Sequence, residues 1–249
     1  MWFTVRKRTA LLFMNQQFII NAWNVWPPVD PNIDKDEVFK KRLSTLPKIL
    51  KRRLTPLART VFAAAIPCMD VCTDKTQQIA TVFSSTHGEL EKSFNMMQLI
   101  EAGEEISPTA FSLSVHNAIA GLFSMAFNNH NQCTVVAPGD EGIVAAFIEA
   151  IGLLQEGEEQ VLIVFYDEPL VEFYPASPYK LSADQSNAIA LLISAKGEGL
   201  SVQLNSQNTD GDNVEQPLQI IMLMKFLVEN QDKLLIHTPR HSWCFENSH

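Results

Sequence analysis

The sequence predicts an α/β architecture, a largely parallel sheet covered on both faces by helices. Three observations predict it. Short apolar runs alternate with segments whose apolar residues recur at helical spacing, as in the passage from 134–137 through 143–155 to 161–165. At 249 residues and 46% hydrophobic, the chain can bury a full core and fits one large domain or two small ones. No internal repeat and no low-complexity tract breaks the pattern.

The elements follow in order. The opening 1–13 carries Arg6-Lys7-Arg8 before a short apolar run, which Asn15-Gln16-Gln17 cuts off well short of a signal peptide or a membrane span. Translation starts either at Met1 or at Met14, and in the second case residues 1–14 are a non-native extension. A first strand over 18–23 ends at Trp26-Pro27-Pro28 and the Asp30-Pro31 turn. A short charged helix covers 36–42. The next helix, over 56–66, has Thr55 as N-cap and Pro56 in its first position, where a missing N–H costs nothing. A strand over 78–84 leads to His87-Gly88-Glu89, which opens a helix over 90–100. After Ser107-Pro108 a helix runs from about 115 to 127, and a polar loop over 128–132 precedes the strand 134–137.

That strand delivers the chain to Pro138-Gly139-Asp140-Glu141-Gly142. The helix 143–155 follows, with Ile143, Ala146, Phe147, Ala150, Ile151 and Leu154 on one face, and then the strand 161–165. Pro169, Pro175 and Pro178 mark a long loop. A strand over 187–194 and a turn at Gly197 to Gly199 complete the pattern. The tail from Leu234 to Cys244 receives no element.

Charge is unevenly spread. Residues 1–59 hold 12 Lys and Arg against 4 acids, and residues 60–249 hold 7 against 24, within a net charge of −9. Such a body argues against nucleic acid as the main partner. Lys48, Lys51, Arg52, Arg53 and Arg59 form a local cluster, either a solvated face or a landing site for an acidic partner. Cys68, Cys72, Cys133 and Cys244 lack a framework spacing, so reduced thiols in the cytoplasm are expected, with Cys133 a small buried thiol.

The turn at 138–142 has the layout of an active-site elbow without its nucleophile, because no Ser or Cys stands in it. A helix N-terminus there would stabilise a thiolate or an oxyanion. Gly139 either frames an oxyanion hole or answers the need of a tight turn. Asp140 and Glu141 read as first-turn acids suited to the helix dipole. His87 and His116 are structural histidines or, with Ser84, Ser85 or Ser114, members of a hydrolase site. His237, His241 and Cys244 have ligand-like spacing, but Pro239 breaks the helix that a metal site would need, so no metal and no cofactor are expected.

The segment 134–168 resembles the nucleophile region of the β-ketoacyl synthases of the thiolase superfamily, in which a strand ending Thr-Ala-Cys is followed by two small residues, Gly and a long Ala-rich helix. Matching that Gly to Gly142 puts the family's cysteine at Gly139. Upstream, the stretch from Ser107-Pro108 through Asn117 to Gly121 resembles the family's Ser-Pro segment. The family's His-Gly-Thr-Gly-Thr motif is absent.

The resemblance implies a layered α/β sheet covered by helices: a thiolase-like half fold over 15–198, and a truncated second half over 199–249 whose first strand is 199–205 and first helix 214–229. It further implies a catalytically empty, chain-length-factor-like subunit similar to those of bacterial aryl polyene ketosynthases. Such a subunit forms a heterodimer with a full-length β-ketoacyl-ACP synthase through the strand Gln132, Cys133, Thr134, Val135, Val136 and Ala137. It would shape the partner's acyl tunnel with Phe111 and Ser114, with Leu113 and Asn117 close by. The basic cluster would meet the acyl carrier protein. The missing second half would leave apolar surface for the partner to cover. A stand-alone acyl-thioester hydrolase and a carrier-protein-binding module are the alternatives.

Overall fold

The computed structural model describes residues 15–74, 76, 78–173, 185–208 and 218–248. The expected extension over 1–14, Pro175 and Pro178 of the long loop, and 214–217 of the last helix lie outside the described residues.

The elements in chain order are β1 (Asn15–Trp26), α1 (Lys35–Ser44), α2 (Lys48–Lys51), α3 (Pro56–Asp70), β2 (Ala80–Ser84), α4 (Leu90–Glu101), α5 (Pro108–Ser112), α6 (Ala118–Phe127), β3 (Cys133–Val136), α7 (Ile143–Glu156), β4 (Gln160–Asp167), β5 (Asn187–Ser194), β6 (Leu200–Asn208), α8 (Gln219–Val228), β7 (Lys233–His237) and β8 (His241–Asn247). Thr55 caps α3 as its residue type requires, its hydroxyl accepting from the Ala58 N–H at 2.9 Å, with Pro56 at the first position.

All the described strands join one sheet in the order β3-β2-β4-β5-β1-β6-β8-β7. Only the pairings of β2 with β3 and with β4 are parallel; all others are antiparallel. The expected largely parallel sheet is therefore a mixed one. Parallel neighbours need a crossover, and helices supply it between β2, β3 and β4. Between β4 and β5 the described residues hold no helix, and the chain returns antiparallel.

The tail corrects a second expectation. It forms the β7–β8 hairpin, which pairs with β6 through Val202 to Asn208 and extends the sheet. Leu234 and Ile236 alternate inward on β7 while Lys233 and Leu235 face solvent, the period of a half-buried strand.

Both faces of the sheet are covered. Along β4, Val161, Ile163 and Phe165 enter one core with Phe147 of α7 and Phe226 of α8, while Leu162, Val164 and Tyr166 enter the other with Phe62 of α3 and Phe123 of α6. The tail contributes Ile236, Trp243 and Phe245 to the first core, so it covers its own share of the sheet. Apolar exposure concentrates elsewhere. None of the twelve residues of α4 is buried, and Met97, Leu99, Ile100 and Phe111 are exposed on α4 and α5.

Candidate functional site

Among the described residues β3 lies at one edge of the sheet and pairs only with β2. Its C-terminal end runs into a 3₁₀ turn, Gly139–Glu141, and then α7. Gly139 is exposed at φ +53°, and a Cβ added there would meet no described atom beyond its chain neighbours within 4 Å. The turn after β3 thus holds no Ser or Cys, and the space beside residue 139 is open.

The first turn of α7 differs from the sequence expectation. Asp140 and Glu141 stand ahead of the helix, whose first turn holds no acid, because Gly142 at φ +58° separates them from it. Glu141 instead faces Arg240 of the β7–β8 turn at 3.8 Å. The Ile143 N–H donates to Oε1 of Gln219, the first residue of α8, at 3.0 Å. A Cβ on residue 142 would overlap that carboxamide, so glycine is needed there for space as well as for its positive φ.

A polar cluster sits at the C-terminal ends of β2 and β4. The Ser85 hydroxyl donates to Asp167 Oδ1 at 2.9 Å and accepts from the Gly88 N–H at 2.8 Å. Thr86 donates to the same carboxylate through its N–H at 2.9 Å and its hydroxyl at 3.3 Å. The Thr55 hydroxyl donates to Glu89 Oε1 at 2.5 Å, and Glu168 accepts from the Glu91 N–H at 2.9 Å, capping α4 from the neighbouring strand.

Burial raises all three carboxyls above their ordinary range. Glu89 is pushed up to about 7, with Glu168 acting in the same direction and the Thr55 hydroxyl against it. Asp167 and Glu168 rise for the same reason, opposed by the N–H groups of Thr86 and Glu91 respectively. Sequence reading missed these three acids, although Asp167-Glu168-Pro169 directly after a buried strand was a signal that polar groups end a core element.

Among the described residues neither His87 nor His116 hydrogen-bonds a serine. His116 Nε2 lies 3.5 Å from the Val136 carbonyl of β3, its ring fills the space beside Gly88, and the buried Nε2 of His87 has no hydrogen-bond partner among the described residues. The Ser114 hydroxyl donates to the Phe111 carbonyl at 2.9 Å, so it too is directed away from a histidine. His237 and His241 belong to the hairpin, where His237 Nδ1 shares a 2.7 Å hydrogen bond with Ser242.

In the Ser107 to Asn117 segment, Phe111 is 57% exposed while Ser114 is 7% exposed, Leu113 is half-buried and Asn117 is exposed. The Ser114 carbonyl accepts from Ser93 of α4, tying that helix to the segment. Of the edge-strand residues, Gln132 and Ala137 are exposed and Thr134, Val135 and Val136 half-buried. Cys133 is exposed rather than buried, because it begins an edge strand with no outer neighbour to cover it. The flanking helices expose Met125 on α6 and Ile148 on α7.

The basic cluster comes together around α2. Lys48, Arg52, Arg53 and Arg59 are exposed and Lys51 is half-buried. Arg59 also clamps the turn, donating to the Leu54 and Lys51 carbonyls at 3.3 Å each. Beside it lies a groove of about 490 Å³ whose lining includes Trp26, Phe39, Leu54 and Pro56, with Lys35 and Arg59 among its charged residues.

The mixed sheet covered by helices on both faces is a thiolase-like fold. The chain belongs to the beta-ketoacyl synthase family, matching its N-terminal domain over residues 23–246. Among solved structures, the fold is similar to a chain from the ketosynthase ApeO in complex with its chain length factor ApeC, from Xenorhabdus doucetiae. That match has a TM-score of 0.73 at 21% identity, covering 92% of this chain and 99% of that one. The ishigamide ketosynthase/chain length factor matches with a TM-score of 0.54 at 14% identity, over 80% of this chain and 69% of that one. A chain from AntDE:AntF, a type II PKS acyl-carrier protein in complex with its ketosynthase, matches at 0.59 and 10%, over 94% and 99%. No curated protein matches the sequence.

Proposed function

We propose that this chain is a non-catalytic, chain-length-factor-like subunit that pairs with an active β-ketoacyl-ACP synthase and shapes its acyl tunnel, in fatty-acid or polyketide synthesis of the aryl polyene type. The observation that carries the reading is the elbow: the turn after β3 is built and has room, yet its nucleophile position is Gly139. Family membership supports the chemistry, and the near-complete mutual coverage with a chain of the ApeO–ApeC complex supports a short form that works beside a ketosynthase.

In this reading the open edge of β3 is the pairing strand, since an unpaired row of N–H and C=O groups is otherwise a liability. The apolar side chains of Met125 and Ile148 flank it. Phe111, with Leu113, Ser114 and Asn117 behind it, reaches the partner's tunnel. The cluster around α2 and its groove receive the acidic acyl carrier protein.

Co-expression with a full-length ketosynthase, followed by size-exclusion chromatography, tests the pairing: the two elute together. Acyl-thioester turnover by the purified chain alone, or a covalent acyl adduct trapped on it, would overturn the reading.

A further inference from the structure

A lost nucleophile does not by itself close an elbow. The N-terminus of α7 would still present N–H groups to a negative atom, and the space over Gly139 is open. In this chain the C-terminal piece reaches back to that point twice. Gln219 of α8 places its carboxamide oxygen 3.0 Å from the Ile143 nitrogen, and Arg240 of the β7–β8 turn holds Glu141 on the other side of Gly142. Gly142 leaves the space that the carboxamide fills.

We propose that Gln219 is a plug: its amide oxygen takes the helix N–H that an anionic atom at the elbow would use, and so silences the site independently of the missing nucleophile. A neutral acceptor suits the role. It satisfies the donor without bringing a charge, and it stays in place because α8 packs into the core through Ile220 and Leu223. The proposal rests on the elbow assignment at Gly139 and is independent of pairing, so failed co-purification and a failed plug are separately visible.

The test restores a thiol and reads its acidity. Gly139→Cys is made in the full chain in a Cys133→Ser background, since Cys68, Cys72 and Cys244 are buried, and iodoacetamide alkylation is followed against pH. With Gln219 in place the thiol titrates like a free cysteine, at about 8.5. Gln219→Ala lowers the midpoint by about one unit and raises the rate at pH 6.5 roughly threefold, the gain in thiolate outrunning the loss of nucleophilicity. Gln219→Glu, which keeps an acceptor on the N–H, leaves the midpoint where it was or higher. A cap with only a structural role changes stability and leaves these profiles superimposed, and that result overturns the proposal. So does a midpoint already a unit below the ordinary value with Gln219 intact.

Because positive φ at residue 139 disfavours a side chain, a second measurement uses chains unaltered there. Acetate is titrated while the Ile143 amide resonance is followed: it moves in Gln219→Ala and stays fixed with Gln219 present. Movement in both, or in neither, sinks the idea.

Discussion

Glu89 is a carboxyl that folding prefers to keep protonated. It is 4% exposed, and its pKa stands at about 7 against an ordinary 4.5. The folded chain therefore holds a proton that the unfolded chain releases between those values, so stability falls as pH rises from about 4.5 to about 7 and is level above. The shift corresponds to about 3 kcal/mol at most. Glu89→Gln keeps an acceptor for the Thr55 hydroxyl and removes the charge. Thermal melts at pH 5 and pH 8 are expected to differ less in this variant than in the parent. An undiminished difference would assign the pH dependence to Asp167 and Glu168, which shift the same way. Phe111 and Ser114 separate by exposure in a way their sequence spacing does not announce. Phe111→Ala leaves this chain's own stability nearly unchanged, because the ring is largely in solvent, and is expected to lengthen the products of a paired ketosynthase. Ser114→Phe must displace Met96 and is expected to shorten them. Mass spectrometry of the products decides both, and unchanged lengths from an intact complex refute the tunnel assignment.

The ladder of β3 shows which of its peptide groups are free. Thr81 N–H donates to the Gln132 carbonyl and Ser85 N–H to that of Val136, so by parallel alternation the peptide groups of Cys133 and Val135 face the open edge. Val135→Pro removes an outward N–H and is expected to abolish co-elution with a ketosynthase while the chain still folds. Thr134→Pro removes an inward N–H and should lower the melting temperature of the chain itself. Equal co-elution of the Val135→Pro chain and the parent would place the interface elsewhere. The strand was legible in the sequence because its pattern is local, an apolar run, a Gly-containing turn, then a helix, whereas its place at the edge came only from the family resemblance. The Thr55-Pro56 start of α3 and the strand Asn187–Ser194 were legible for the same reason. The direction of β5 was not, since the long loop before it permits either orientation. The β7–β8 hairpin did leave a signal, Thr238-Pro239-Arg240 between two short apolar runs, but the run of histidines invited a reading as ligands. Gln219 left none, because a polar residue opening an apolar helix reveals nothing of a contact 76 positions away.

The whole molecule is electrically divided: its first 59 residues are basic and the remainder is acidic, within a net charge of −9. Folding gathers part of the basic segment into one exposed cluster around α2, beside an apolar groove. Long-range attraction from such a cluster acts on encounter rates more than on final affinity, and salt screens it. The residues are not equivalent, however. Arg59 holds the Leu54 and Lys51 carbonyls, so replacing it would disturb the turn as well as the charge. Lys48, Arg52 and Arg53 are exposed and free of that duty, and their combined reversal to Glu is the cleaner probe. Association of the complex with an acidic acyl carrier protein is expected to slow about tenfold at low salt, with the parent and the variant converging as salt rises. Stopped-flow fluorescence across a salt series measures it. A parent rate indifferent to salt would remove the cluster from the docking surface and leave it as a solvated face, with the elbow and the β3 edge unaffected.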